Sequence, residues 1–421
     1  MLFDRITKRM NRNEMYNDEK QNMLKTFSTN GEWEHFYDEV QILEERIFSD
    51  EERLKAAVPA LLSWFAGHAR ILPWRENPTP YRVWLSEIML QQTRVEAVKP
   101  YFERFVQELP DIGALASAEE DRLLKLWEGL GYYSRVRNLN RAAKQVMEEY
   151  GGELPSDCQK LLKLPGIGSY TAGAVSSIAF GQKVPAVDGN VLRVISRVLA
   201  SRGDISEQTT KKSLETLLEK VMPANTPGEF NQALMEVGAT VCIPRGEPLC
   251  GECPFYTLCL SRRDGLIGEI PVKKIAKSRR IEQRTVLLLW DGNRVAVRKR
   301  PEKGLLAGLY EFPNMPGWVD EDEAMEAANA LLNEAADRVE CSFLGEAVHV
   351  FSHVEWHMVG YAVRITGKVP ERINGWADSE LPENNVIIMA DGQDLKNSYA
   401  IPNAFRVYTE KITELLDKDR N

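Results

Sequence analysis

Pro73-Trp74-Arg75 and, shortly after it, Trp84-Leu85-Ser86-Glu87-Ile88-Met89-Leu90-Gln91-Gln92-Thr93 place a single carboxylate among apolar neighbours. On a helix, Glu87 would lose solvation of its charged form, and its pKa would rise toward the range where a carboxylic acid donates a proton. Gln91 and Gln92 are uncharged amides that could enter a stack of bases. A helix with Glu87 facing water explains the same residues without chemistry. A second carboxylate lies in Val187-Asp188-Gly189-Asn190-Val191. Asp188 reads either as the N-cap of a helix over Val191–Leu199 or as an acid opposite Glu87. Two such carboxylates suit cleavage of a glycosidic bond: one protonates the leaving group while the other stabilises the sugar cation.

Four of the six cysteines crowd into one stretch with the spacing C-x7-C-x2-C-x5-C: Cys242, Cys250, Cys253 and Cys259. In a cytoplasmic chain such a cluster reads as metal ligation rather than disulfides. Four thiolates suit zinc or a 4Fe–4S cluster. A zinc ribbon usually pairs two C-x2-C knuckles, and only one is present, so the spacing leans to iron–sulfur. Cys158 and Cys341 stand apart and read as packing residues.

The elements that must position these groups are mostly helical. Leu54, Val58, Leu61, Leu62 and Phe65 recur at helical spacing, as do Leu123, Leu124, Trp127 and Leu130. Leu164-Pro165-Gly166-Ile167-Gly168 joins a helical segment that Ser156 could cap to a second over Tyr170–Phe180. Glycines there allow φ > 0 and a close approach of backbone N–H groups to a phosphate, so the segment reads as a helix–hairpin–helix grip, blind to base sequence. Arg262–Arg284 holds eight basic and three acidic residues, a linker that either lies along a phosphate backbone or is a plain solvated tether. Beyond it the period changes: Thr285–Trp290 and Arg294–Arg298 flank Asp291-Gly292-Asn293 as a hairpin, Glu323–Ala336 reads as a helix, and strands follow at Ser342–Val350 and Val354–Ile365.

Composition sets the outer bounds. The chain has 421 residues, 43% hydrophobic and 27% charged, enough for two or three domains of an ordinary globular protein. No apolar run approaches the roughly 20 residues that cross a bilayer, and Met1–Met10 lacks the features of a secretory signal, so the cytoplasm is expected. The net charge of −9 does not exclude a nucleic-acid partner, because residues 1–52 carry 13 acidic and 7 basic side chains and so supply most of it.

Taken together, Pro-Trp-Arg, Leu-Ser-Glu-Ile-Met-Leu-Gln-Gln-Thr, Gly131-Tyr132-Tyr133-Ser134-Arg135, Leu-Pro-Gly-Ile-Gly-Ser-Tyr-Thr-Ala-Gly, Val-Asp-Gly-Asn-Val and the four cysteines resemble the adenine DNA glycosylases of the MutY type, in the helix–hairpin–helix superfamily. The resemblance runs from about Glu52 to Tyr408. It implies a multidomain chain: an all-α helix–hairpin–helix core with an iron–sulfur module, followed by an α+β Nudix-like domain. The implied divisions are an acidic extension (1–50), helical catalytic core (51–240), iron–sulfur loop (241–262), basic linker (263–283), Nudix-like opposite-base domain (284–415) and tail (416–421).

By the same resemblance, Glu87 protonates an extruded adenine at N7 and then assists water. Asp188 stabilises the sugar cation or a covalent sugar intermediate, Tyr170 hydrogen-bonds within the Asp188 site, and Asn190 helps hold the catalytic acid. Gln92 and Tyr132 probe the stack, Arg75, Gly166 and Gly168 contact DNA, and Phe351-Ser352-His353 reads the opposite base. A serine oxygen can accept from the N7–H of 8-oxoguanine, where guanine has only an acceptor; an ordinary strand end would also explain the tripeptide. A 4Fe–4S cluster on the four cysteines and a monovalent cation at the hairpin complete the implied cofactors. The implied partner is duplex DNA with adenine opposite 8-oxoguanine or guanine, met by a monomer in the bacterial cytoplasm at the nucleoid.

Tyr170 stands where the endonuclease III branch carries a lysine, and a phenol cannot form that branch's Schiff base. The helix at Glu323–Ala336 lacks the Arg-Glu-x2-Glu-Glu of a Nudix hydrolase, so the second domain is expected to bind rather than hydrolyse. The family commonly has six residues between its first two cysteines where this chain has seven, and the extension before residue 51 has no counterpart.

Overall fold

The computed structural model describes residues 49–274, 278–332, 336–367, 369–374 and 386–419. The acidic extension therefore lies outside the described residues up to residue 48. Thirteen helices are described in the first half: α1 (Asp50–His68), α2 (Pro73–Glu76), α3 (Pro80–Leu90), α4 (Val95–Glu108), α5 (Ile112–Ser117), α6 (Glu120–Leu126), α7 (Ser134–Tyr150), α8 (Cys158–Leu161), α9 (Ser169–Phe180), α10 (Gly189–Val198), α11 (Gln208–Val221), α12 (Pro227–Thr240) and α13 (Leu260–Arg263). Ser49 and Glu52 form a reciprocal capping box that starts α1. Asp157, not Ser156, caps α8 by accepting from Gln159 N.

These helices bury two separate cores. One runs from Leu72 through Trp84, Phe102 and Trp127 to Val175. The other joins α1, through Leu54, Leu61 and Phe65, to α10, α11 and α12 and to Phe255. Aliphatic and aromatic side chains removed from water on both sides make each a rigid block, at roughly 1.5–3 kcal/mol per fully buried large side chain. The seam between the blocks is where a cleft can open without breaking either core.

The second half is a mixed sheet: β1 (Arg280–Trp290), β2 (Arg294–Lys299), β3 (Tyr310–Glu311), β4 (Asn314–Pro316), β5 (Arg338–Val350), β6 (Val354–Thr366), β7 (Arg372–Asn374) and β8 (Val386–Asp391), with helices α14 (Glu321–Leu332), α15 (Gly392–Asn397) and α16 (Arg406–Asp419). The main order is β5-β6-β1-β2-β8-β7, and β1 runs parallel to β6 in a sheet otherwise antiparallel. Both faces are covered. Val286, Leu288 and Trp290 point to α16, while Leu287 and Leu289 point to α14, the period-two alternation of a strand buried on both sides.

Several expected boundaries move. β1 begins at Arg280, so two of the expected linker arginines, Arg280 and Arg284, belong to the sheet, while α13 takes Arg262 and Arg263. Its described part up to Lys274 is stitched to the helices: Ile205 N donates to Val272 O at 3.0 Å, Arg197 Nε donates to Ile270 O at 2.8 Å, and Lys274 pairs with Glu207. The expected tail contains the end of α16, which runs to Asp419. Helix α14 begins two residues early, at Glu321, and is described only to Leu332.

The two halves are docked. Leu309 and Ala400 of the sheet domain are buried within the first helical core. Lys125 Nζ donates to the carbonyls of Leu395 and Tyr399, each at 2.9 Å. Glu128 accepts from Ile401 N at 2.7 Å, and Asp121 pairs with Lys299 at 2.6 Å.

Candidate active site

Glu87 reaches the seam from α3, a helix capped by Thr79 and started by Pro80. All residues from Val83 to Met89 are buried, so the helix has no water-facing side on which the carboxylate could rest. Glu87 is 6% exposed. Burial pushes its pKa up to about 7; the Tyr170 hydrogen bond and the Arg75 charge pull it down, and the Asp188 charge pushes it up. Tyr170, in the first turn of α9, donates from its hydroxyl to Glu87 Oε2 at 2.5 Å.

Asp188 faces the same cleft, of about 680 Å³, within the roughly 300–1,000 Å³ range of ligand sites. It does cap α10, since Val191 N donates to its Oδ1 at 2.8 Å, and it also lines the cleft together with Glu87, so the two sequence alternatives coexist. Asn190 Nδ2 donates to its Oδ2 at 2.9 Å, and Arg193 donates to Asn190 Oδ1 at 2.9 Å. Burial raises the Asp188 pKa, and the Val191 and Asn190 hydrogen bonds oppose the rise by favouring the charged form. The expected partners are thus exchanged: Tyr170 holds Glu87, and Asn190 holds Asp188. Asn190 lies two residues from Asp188, so the local turn brings amide and carboxylate together.

Arg75 lines the cleft but is fully engaged there, giving Nη2 to Glu236 at 2.9 Å and Nε to Gln232 at 3.1 Å. Glu236 also takes Arg70 at 2.6 Å. Gln232, Met235, Glu236 and Ala239 face the cleft from α12. Their i, i+3, i+4, i+7 spacing was readable in the sequence, where two polar residues on an otherwise apolar face mark a lined cavity.

A second groove lies between the halves. It is lined by Tyr132 and by Phe351, Ser352 and His353 in the turn between β5 and β6. The Tyr132 hydroxyl is 3.1 Å from Ser352 Oγ. Phe351 is wedged edge-on against His349 and Trp356, with ring centroids 4.6 and 5.0 Å away. His357 is hydrogen-bonded to Glu355. Gln92 and Tyr132 are exposed and have φ of 56° and 49°. A left-handed conformation away from glycine costs about 1–3 kcal/mol and is often held in place at functional sites. Gln91 turns the other way, to Thr171 Oγ1 at 3.3 Å.

In the hairpin only Gly166 needs positive φ (78°), and a Cβ there would meet Asn138 Cβ at 2.7 Å. Gly168 is extended and is the N-cap of α9, with no side chain capping the helix, which leaves first-turn N–H groups for an anion.

Cys242, Cys250, Cys253 and Cys259 line one cavity together with Arg197 and Arg262. Among the described residues no three His, Cys, Asp or Glu side chains are gathered to hold a metal ion. Four thiols spread around a shared space suit a polynuclear group better than one zinc. Arg197 Nη1 lies 3.3 Å from Cys242 Sγ, which suits an anionic thiolate cluster. Burial pushes the free Cys253 thiol up to about 12, so a bound cation would be needed to hold it as thiolate.

Residues 85–220 match the HhH-GPD superfamily of base excision DNA repair proteins, and residues 285–411 match the NUDIX domain. The adenine DNA glycosylase of Rattus norvegicus is 35% identical over 86% of this chain and 80% of its own length. That of Homo sapiens is 35% identical over 77% of this chain and 70% of its own. The chain belongs to the adenine DNA glycosylase family. A solved thermostable thymine-DNA glycosylase is 29% identical and covers 50% of this chain and 97% of its own, with a TM-score of 0.46. As an adenine DNA glycosylase the protein is a DNA N-glycosylase of base excision repair, with a helical helix–hairpin–helix core and a Nudix-like second domain. No described helix is long and apolar enough to cross a membrane.

Within this adenine DNA glycosylase, Gly173 carries an unobvious constraint. A Cβ there would fall 2.3 Å from the carbonyl oxygen of Pro185, three residues before Asp188, and backbone cannot step aside cheaply. Gly173→Ala is expected to cost about 1–3 kcal/mol of stability by overpacking and to slow base release while DNA affinity holds. Thermal melting beside single-turnover kinetics checks both.

Proposed function

We propose that the enzyme removes adenine paired with 8-oxoguanine, or with guanine, and leaves the DNA strand intact. The observation that carries this reading is the Tyr170-held, buried Glu87 facing Asp188 across one cleft. Glu87 gives its proton to N7 of the extruded adenine. The bond from C1′ to N9 breaks with its electron pair leaving on the base, and Asp188 balances the positive charge on the sugar. Water then adds at C1′ and its proton returns to the Glu87 carboxylate. Extruding the base costs a few kcal/mol of stacking and pairing, and Gln92 and Tyr132, presented on strained backbone, fill the stack.

Cys242, Cys250, Cys253 and Cys259 would hold a 4Fe–4S cluster, which when bound would brace the short helix α13 that carries Arg262 and Arg263. Gly166, Gly168 and the start of α9 grip the phosphate backbone, with room for a monovalent cation at the hairpin. Arg75, engaged with Glu236 and Gln232, shapes the base pocket rather than reaching a phosphate.

Single-turnover base release tests the reading, on duplexes with adenine opposite 8-oxoguanine, guanine or thymine, each with and without alkali. Fast release opposite 8-oxoguanine, with breaks only after alkali, is expected, since a phenol at Tyr170 forms no imine. Efficient scission without alkali would favour the endonuclease III chemistry instead. No release from any duplex would leave a DNA-binding protein without this activity.

Ser352 and His353 are exposed at the groove and Ser352 touches Tyr132. Replacing both by Ala is expected to lower the preference for 8-oxoguanine over guanine about fivefold to tenfold, the size of one net hydrogen bond. An unchanged ratio would remove the tripeptide from opposite-base reading.

A further inference from the structure

Arg135 is buried, 7% exposed, in the first turn of α7, and among the described residues no carboxylate pairs with its guanidinium. It faces backbone oxygen instead. Nη1 lies 2.8, 2.9 and 2.7 Å from the carbonyls of Ile88, Met89 and Gln91. Nη2 lies 3.1 and 3.0 Å from the carbonyls of Leu130 and Gly131, and 3.2 Å from Thr93 Oγ1. The first set is the C-terminal end of α3, immediately after Glu87, where the helix leaves unpaired carbonyls and its dipole favours a cation. The second set immediately precedes Tyr132. The two segments thus meet on one planar group, and both then enter left-handed backbone, at Gln92 and at Tyr132. The guanidinium also lies 5.7 Å from the Tyr132 ring.

We propose that Arg135 is the positioning residue that couples opposite-base reading to acid catalysis. A shift of Tyr132, which touches Ser352 across the groove, moves the carbonyls of Leu130 and Gly131; the fixed fork of Arg135 transmits that shift to the end of the helix that aims Glu87. The proposal rests on the reading of 8-oxoguanine given above. Lysine keeps the charge but has one nitrogen and three donors, so it cannot span both carbonyl sets.

The test compares Arg135→Lys with Asn140→Ala. Asn140 is buried on the same helix and bonds the carbonyl of Leu115 at 2.7 Å, remote from the catalytic helix, so its loss reports damage to α7 alone. Single-turnover release is measured opposite 8-oxoguanine and opposite guanine, with amide hydrogen exchange of segments 88–93 and 129–133. In Arg135→Lys the 8-oxoguanine-to-guanine rate ratio is expected to fall at least tenfold, and both segments to lose protection together. In Asn140→Ala the ratio is expected to hold. A proportionate fall on both duplexes in Arg135→Lys would overturn the coupling. If the unaltered enzyme releases no adenine, the reading of substrate has failed on its own, and exchange then decides the clamp: joint loss of protection upholds it, and loss in one segment alone overturns it.

Discussion

Glu87→Gln is expected to bind mispaired DNA as tightly as the parent enzyme and to release adenine ~10²–10⁴-fold more slowly, the usual cost of losing a general acid. The substitution is close to isosteric and neutral, and the Tyr170 hydroxyl, 2.5 Å from the carboxylate, can donate to the amide oxygen in the same way. Binding therefore serves as the control and single-turnover release as the measurement; unchanged release would remove Glu87 from the chemistry. The pH profile gives a second view of the same proton. Burial raises the Glu87 pKa to about 7, and on the proposed mechanism the acid form is the active one. The rate should be flat below that pH and fall about tenfold per unit above it. That alkaline limb should be absent in Glu87→Gln, and a limb that persists there would belong to another group.

Asp188→Asn is the second large expectation. Asparagine is as good an N-cap as aspartate, so the bond from Val191 N and the start of α10 should survive. The negative charge, which on the proposed mechanism faces the sugar, does not survive. Removing one preorganised electrostatic partner of a transition state costs on the order of 10²–10³-fold, and release should fall by that amount while melting temperature and DNA affinity stay near the parent values. If the rate loss came with a comparable loss of stability, Asp188 would be only a cap. Arg193 links this carboxylate, through Asn190, to the carbonyl of Cys242 at 2.8 Å, so cluster content should be measured in the same preparations.

How much of this was readable in the chain depended on how local each feature is. Glu87, Asp188 and the four cysteines announce themselves by residue type among unlike neighbours, and helical spacing over 54–65 was enough to place α1. The partner exchange between Tyr170 and Asn190 was not readable, because a hydrogen bond across 83 residues depends on how α9 packs against α3. In the sequence Arg135 stands out only as part of the Gly131–Arg135 motif. A buried arginine held by five backbone carbonyls leaves no acidic residue in the sequence to betray it. The boundary of β1 was missed for a related reason: Arg280, Glu282 and Arg284 look like linker residues, yet Arg284 lies over the Trp356 ring at 4.3 Å, and Glu282 accepts from the Trp356 indole at 2.9 Å.

The docking of the two halves through Lys125, Glu128 and Asp121 makes the protein a gauge whose jaws are set before any duplex arrives. The entropy of bringing the Nudix-like domain to the helical core is spent when the chain folds, so it need not be spent again at each encounter with DNA. On the proposed reading, the groove between the halves then meets a base pair without waiting for a domain to close. Loosening those contacts would leave a catalyst that still cuts its substrate but measures it less well.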